Sequence, residues 1–369
     1  MIYVHVPFCK SFCTYCGFYS EVCKGSAQIA DYVDEVCREI SSRTAETAAT
    51  ASVNTLYFGG GTPSVLPLSA LSRIVSAVRT GLVSQGCSPD FEEFTVEVNP
   101  EDIVEKGPEY VRGLRGLGVN RISMGVQSFD DGILRWMNRR HTAERARKAF
   151  GQLREGGFDN ISIDLIFGLS QLSDDLWRST LEQALELGPE HISSYQLSVE
   201  EGSTLERQVL EGRYAEASDE QCRRQYDLLC QALAAAGYHH YEISNLARPG
   251  FEARHNAAYW RRVPYAGFGP GAHSLLPDGR TRRWNSDELP HWKVAQEFLT
   301  GEELRVERLM LALRTDAGLP GEEMERLADA GAVSRLLSEG ALAETPDGRI
   351  RIPEDHFFVS DEIIREVLP

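Results

Sequence analysis

Nowhere does this chain of 369 residues approach the ~20 consecutive apolar residues that a membrane-spanning helix requires. It also lacks the charged-then-apolar opening of a secretory leader, because Ile2-Tyr3-Val4-His5-Val6 reads as a buried strand. Both absences favour a cytoplasmic protein. Positive charge is scarce: 38 Lys and Arg stand against 55 Asp and Glu, a formal net charge of −17. This excludes an electrostatic surface for nucleic acid or anionic lipid, and short basic clusters such as Arg282-Arg283 read as solvated faces. Cysteines are few and mostly irregular; Cys23, Cys37, Cys87, Cys222 and Cys230 resemble reduced thiols rather than a disulfide framework. There is no internal repeat, and the Ala/Thr-rich stretch Thr44 to Ser52 reads as a small loop.

The remaining three cysteines are concentrated in Cys9-Lys-Ser-Phe-Cys13-Thr-Tyr-Cys16, directly after the first strand. Three thiolates converging on one loop can hold a soft metal centre. Structural zinc wants four protein ligands, and the fourth would have to be His5 or a distant cysteine. A four-iron cluster held by three cysteines instead leaves one iron open. The spacing alone permits both occupants, so a zinc-stabilised binding barrel remains one reading.

Periodicity gives the architecture. Strand-like runs at Ile2 to Val6, Asn54 to Phe58, Phe94 to Val98, Arg121 to Val126, Asn160 to Phe167 and His191 to Val199 alternate with amphipathic stretches. These stretches are Ile29 to Arg43, Leu68 to Leu82, Thr142 to Glu155, Asp174 to Leu187 and Asp219 to Ala236. Repeated strand and helix predict an α/β fold with a parallel sheet, six units of which curl into a partial barrel. The predicted barrel covers residues 1–245. The Gly/Pro/aromatic segment Arg248 to Leu275 then reads as a connection into a smaller α+β domain, 246–369, whose end is winged-helix-like.

Unusual residues fall at the carboxyl ends of the predicted strands, where barrels bind ligands. The cysteine loop follows the first strand and Gly59-Gly60-Gly61-Thr62-Pro63 the second; Glu97 ends the third, and Gln127 follows the fourth. Glycine lets backbone approach a ligand, and Thr62 reads as a cap on a helix starting at Pro63. The plainer alternative is a tight strand-to-helix turn; a strand-end Glu or a helix Arg is, similarly, an ordinary surface ion pair when taken singly.

The cysteine loop and the glycine run together resemble the radical S-adenosylmethionine (SAM) superfamily. Further strings resemble one branch of it, the oxygen-independent coproporphyrinogen dehydrogenases and their heme-chaperone relatives, almost from end to end. These strings are Tyr3-Val-His5-Val-Pro7-Phe-Cys9, Val96-Glu97-Val-Asn99-Pro100, Ser123-Met-Gly125-Val-Gln127-Ser128-Phe129, Asn138-Arg139 and Ile163-Asp164-Leu165-Ile166-Phe167-Gly168-Leu169. The resemblance implies a [4Fe-4S] cluster on Cys9, Cys13 and Cys16, with SAM at the open iron. It implies that Tyr3, Tyr15, Gly60, Gly61, Thr62, Glu97, Gln127, Arg139 and Asp164 line SAM.

Two functions compete within that branch. The dehydrogenases oxidatively decarboxylate coproporphyrinogen III; the HemW-type chaperones carry heme to respiratory proteins. His255-Asn256-Ala-Ala-Tyr259-Trp260 resembles the chaperones and offers an imidazole to heme iron beside an aromatic pair able to pack on a macrocycle. The alternative is that His255 caps a loop while Tyr259 and Trp260 fill the domain junction. His273, in Gly267-Phe-Gly269-Pro-Gly271-Ala-His273-Ser274, is a second heme candidate with a structural alternative of its own. The dehydrogenase loop carries another cysteine two residues after the third, where this chain has Phe18. It also carries a segment ahead of its first strand, for which a chain starting two residues before Tyr3 would have no room. Both departures favour a heme chaperone, with heme and heme-acceptor proteins, including membrane-bound ones, as partners. The expectation is therefore a heme carrier on a cluster- and SAM-binding scaffold, with the dehydrogenase as the alternative.

Overall fold

The computed structural model describes residues 1–368. Six strands, β1 (Ile2–Val6), β2 (Thr55–Gly60), β3 (Glu93–Val98), β4 (Arg121–Gln127), β5 (Ile161–Phe167) and β6 (His191–Gln196), pair in parallel in chain order. Two antiparallel strands, β7 (His239–Glu242) and β8 (Asn245–Ala247), extend the sheet beyond β6. At the other edge β9 (Ala266–Phe268) lies parallel to β1, so the order is β9-β1-β2-β3-β4-β5-β6-β8-β7. The sheet remains open, a partial barrel.

Helices α1 (Ser26–Ser42), α2 (Thr44–Ala49), α3 (Leu68–Ser84), α4 (Pro100–Gly116), α5 (Asp131–Trp136), α6 (Ala143–Glu155), α7 (Asp174–Leu187), α8 (Thr204–Leu210) and α9 (Asp219–Ala235) follow within and after this frame. Local chemistry sets several starts: Asp130, Thr142, Ser173 and Ser218 each accept a backbone N–H three residues on. The outward residues of the strands, among them Val4, Val6, Leu56, Phe58, Phe94 and Val96, are buried in one core with α1, α3, α4 and α6. Their neighbours in sequence face the lumen and are polar: Tyr3 and His5 on β1, Thr55 and Tyr57 on β2, Glu93, Thr95 and Glu97 on β3, Arg121 and Ser123 on β4.

Two local expectations change. Thr44 to Ser52 is not wholly loop, because its alanines favour helix, Thr47 is buried and Glu46 pairs with Arg43, giving α2. The connecting segment Arg248 to Leu275 holds α10 (Arg254–Trp260) and β9, and the expected boundary at residue 245 falls on the first residue of β8. Beyond it lie a three-stranded sheet, β10 (His273–Leu275), β11 (Thr281–Asn285) and β12 (Val294–Phe298), and then α11 (Gly301–Ala312). The chain ends with β13 (Leu319–Pro320), α12 (Gly321–Leu327), α13 (Ala330–Glu339), β14 (Ala343–Glu344), β15 (Arg349–Arg351) and α14 (Ser360–Val367). The order helix, strand, two helices and a hairpin returning to β13 is that of a winged helix.

Arg43 ties the late segments to the barrel. Its guanidinium donates to the Gly267 carbonyl at 2.7 Å and the Ser274 hydroxyl at 3.0 Å, pairs with Glu39 and Glu46, and lies over the Phe268 ring at 4.5 Å. Replacing Arg43 by Ala leaves nearly buried Glu39 without its cation and Glu46 with Arg283 alone, at a cost of about 3 kcal/mol. The expected result is a lower urea midpoint, with amide exchange accelerated first at Ala266–Phe268.

Candidate functional site

The cysteine loop is built as a closed flap at the mouth of the lumen. Its two ends pair as short parallel strands, Phe8-Cys9 against Glu21-Val22, closed by Glu21 N–H to Pro7 O at 2.6 Å and Cys23 N–H to Cys9 O at 2.9 Å. Its tip is pinned from the far side of the barrel: Thr14 donates to the carbonyls of Met137 and Trp136, and Asn138 Nδ2 donates to Phe12 O at 2.7 Å. Lys10 pairs with Asp102 at 2.6 Å and Glu105 at 2.7 Å on α4. The three thiols, all free and partly accessible, are thus held between the ends of β1, β2 and β4.

Arg139 connects the loop to the strand ends. It donates to Cys13 Sγ at 3.3 Å, Asn99 Oδ1 at 2.5 Å and the Gly125 carbonyl at 2.7 Å, while its Nε is buried without a partner. The preceding residue, Asn138, has a left-handed backbone (φ 58°), and so has Gln127 (φ 68°), at a bulge where β4 meets β5. Non-glycine residues adopt this conformation at a cost, and it concentrates at binding sites. Gln127 Oε1 is likewise buried and unpaired.

Thr62 is not a helix cap. Its turn, Pro63–Val65, has no side-chain cap; the Thr62 hydroxyl instead meets Cys9 Sγ at 3.4 Å and accepts from Asn99 Nδ2 at 3.2 Å. The glycine run is required sterically as well as conformationally. Gly60 has φ +108° and a Cβ there would collide with the His5 ring, while one at Gly61 would stand 2.9 Å from the carbonyls of Val6 and Phe8.

Deeper in the lumen, Glu97 accepts from Tyr57 Oη at 2.8 Å and from Gly60 N–H at 3.2 Å, and Asp164 accepts from Ser123 Oγ at 3.3 Å. Protein crowds both carboxylates, which are half-buried. Desolvation pushes Glu97 up to about 7, helped by the Asp164 charge, and pushes Asp164 up to about 6. Burial also lifts the thiol of Cys16 to about 11.

These observations fit the implied groups. Among the described residues no three Cys, His, Asp or Glu side chains stand close enough for a single ion; a four-iron cluster takes each thiolate on a different iron and uses a wider set. Two lumen carboxylates held above their ordinary range are suited to a cationic amino acid derivative, and the orphaned Arg139 Nε and Gln127 Oε1 are open to its polar groups. The structure brings Tyr3, Gly60, Gly61, Thr62, Glu97, Gln127, Arg139 and Asp164 to the lumen or its mouth, with Tyr15 beside Arg139 and Cys13. Sequence reasoning passed over Asn99, which joins Thr62 to Arg139, and Arg121, whose buried Nε has no partner. The signal that could have found the latter is alternation: Glu-Phe-Thr-Val-Glu and Arg-Ile-Ser-Met place every second residue in a polar lumen, whereas parallel strands covered on both faces are near-continuously apolar.

The heme contact expected of His255 needs correction. The residue is 1% exposed; Nδ1 lies 2.8 Å from Thr55 Oγ1, Nε2 lies 3.0 Å from Tyr259 Oη, and the N–H groups of Arg254 and His255 donate to Glu93. Both ring nitrogens are engaged, burial holds the ring neutral, and α10 plugs the foot of the barrel. The plain alternative, a structural histidine, describes it.

The radical SAM superfamily profile matches residues 3–184. The heme chaperone HemW of Synechocystis is 36% identical over 335 residues, 86% of this chain and 78% of that one, and HemW of Mycobacterium tuberculosis is 35% identical over 358 residues, 93% and 87% respectively. The chain belongs to the HemW family. Coproporphyrinogen III oxidase HemN from Escherichia coli, a radical SAM enzyme, superposes with a TM-score of 0.77 over 99% of this chain and 89% of that one, but at 22% identity it shares the fold alone. No helix among the described residues is long and apolar enough to cross a membrane.

Two outcomes are expected. A raised carboxyl pKa means that the folded chain keeps a proton the unfolded chain has lost, so Glu97 costs stability above its folded value of about 7 and nothing below 4.5. Glu97→Gln should therefore stabilise the ligand-free protein at pH above 7 by on the order of 1–2 kcal/mol after allowance for solvent access, with no gain below 4.5; denaturant titrations at the two pH values read this directly. His255→Ala should lower unfolding free energy by about 2–3 kcal/mol by leaving buried Thr55 and Tyr259 groups unpaired, visible as a reduced melting temperature before any ligand is added.

Proposed function

We propose that this protein is a heme chaperone, which binds heme and passes it to heme-acceptor proteins, on a scaffold that holds a [4Fe-4S] cluster and SAM. The observation that carries the reading is the likeness to HemW chaperones over most of the chain; in addition, Phe18 stands where the dehydrogenase pattern has a further cysteine. In this reading Cys9, Cys13 and Cys16 hold the cluster, Arg139 offsets the charge at Cys13, and Thr62 supports Cys9. The amino acid portion of SAM is received by Gly60, Gly61, Gln127 and Arg139, and Glu97 and Asp164 complement its positive charge and ribose hydroxyls. A cluster–SAM pair supplies one-electron chemistry when bound; the chain's own contribution is to position it and exclude bulk water.

Of the HNxxYW segment, Tyr259 reaches a cavity wall, while His255 acts from behind by fixing the Tyr259 hydroxyl. Trp260 closes α10 and is half-buried. The acceptors are respiratory heme proteins, the membrane-bound ones included, and the compartment is the cytoplasm.

The deciding experiment is anaerobic. Cluster-reconstituted protein is titrated with heme by its visible absorption, and is separately incubated with SAM, reductant and coproporphyrinogen III. Saturable heme binding without protoporphyrinogen IX is expected; product at enzyme-like rates with no saturable heme binding would overturn the reading. Cys13→Ala should lose cluster iron and the cluster's absorption while keeping the wild-type far-UV spectrum.

A further inference from the structure

Beside the cysteine loop, between β1 and the late segment that carries β10, a cavity opens that shares Tyr3 and His5 with the lumen. It has a volume of about 370 Å³, within the roughly 300–1,000 Å³ of ligand pockets. Its walls are aromatic: Tyr259 and Tyr265 pack edge to face at 4.7 Å on one side, and Phe18 and Tyr19 of the loop stand on the other. Phe18 is 74% exposed, a large apolar ring at the rim.

Two histidines line the cavity and differ in one respect. His5 has both ring nitrogens engaged, Nδ1 with Tyr3 Oη at 3.1 Å and Nε2 with the Tyr19 carbonyl at 3.0 Å. His273 is exposed, and no hydrogen bond or ion pair among the described residues uses its imidazole. Its ring plane is set by stacking on Trp284, centroids 6.1 Å apart and planes within 18°. Its backbone is fixed from behind, since a Cβ at Gly267 would collide with the His273 carbonyl. The floor is kept clear at Gly271 (φ +71°), where a side chain would run into Asp287 Oδ1 at 2.8 Å and the Tyr19 ring at 3.4 Å.

Resting on the heme-carrier reading above, we propose that heme is carried in this cavity, with His273 as the axial ligand to iron and the macrocycle between Phe18 and the Tyr259–Tyr265 pair. A neutral imidazole with a free nitrogen is an ordinary heme ligand. Partial desolvation by the cavity wall and the neighbouring Arg282 guanidinium lower the His273 pKa, in the direction that favours the neutral ring. Asp287 is the charged group on the wall, so the propionates are turned away from it, toward the open mouth. The residue that sets the loop apart from the dehydrogenases, Phe18, becomes part of the cargo site.

The test is ferric heme titrated anaerobically into the cluster-reconstituted full chain, with cluster iron and melting temperature measured on each variant. His273→Ala should weaken binding by about tenfold or more and convert the Soret band to that of heme without a protein nitrogen ligand. His273→Cys should give a thiolate-type spectrum, a change that a merely structural role would not produce. Phe18→Ala should weaken binding with the wild-type spectrum retained. Wild-type affinity and Soret position in His273→Ala, or a wild-type spectrum in His273→Cys, would overturn the assignment and leave the carrier reading standing. Absence of saturable heme binding by the wild type would instead remove the carrier reading itself.

Discussion

The rest of the molecule depends on a parallel sheet whose inner face is polar. One face of each barrel strand is sealed against helices by apolar side chains, while the other carries tyrosine, threonine, glutamate, arginine and aspartate into a shared lumen. Such a lumen cannot collapse on itself, because every unpaired polar group removed from water costs free energy. Its groups must therefore be satisfied by one another, by water, or by a ligand. At the foot Glu93, Thr55, His255 and Tyr259 satisfy one another, although Arg121 Nε stays unpaired. Toward the mouth the lumen groups do not: Glu97, Asp164, Gln127 and Arg139 keep raised pKa values, unpaired atoms or strained backbone. Together with the strand-end position of the cysteine loop, these groups mark the mouth as the candidate binding end.

Much of this was legible in the sequence. Six strands and the helices between them follow from periodicity, and the cysteine loop, glycine run, Glu97 and Gln127 occupy strand ends as the barrel rule requires. α4 was missed because Gly107 and Pro108 break its pattern; two helical segments meet there at a kink, with Gly107 non-helical at φ 70°. β9 was missed because three residues, Ala266–Phe268, carry no periodicity, and only the proximity of β1 makes them a strand. Histidine chemistry was misassigned for a related reason. A sequence names an imidazole but not what its nitrogens touch: both of those of His255 are engaged at the foot of the barrel, while His273 lines a cavity.

The cysteine loop takes part in two environments. Its inner side faces the strand ends through Arg139 and Thr62, while Gly17, Phe18 and Tyr19 reach the aromatic cavity. His5 bridges them, bonded to Tyr3 on its own strand and to the loop backbone at Tyr19. A loop pinned at its base, tip and flank is a stiff connector, so displacement of the thiols would be felt at Tyr19 and Phe18 rather than absorbed between them.

The edge position of β9 bears on how the protein is made. Domains assemble from the N-terminus during synthesis, yet the outer neighbour of β1 lies more than two thirds of the way along the chain. Until that segment emerges, β1 is an exposed sheet edge, open to pairing with the wrong strand. Pairing of β9 with β1 ends that exposure, so this edge of the sheet is covered only once the late segment has been made.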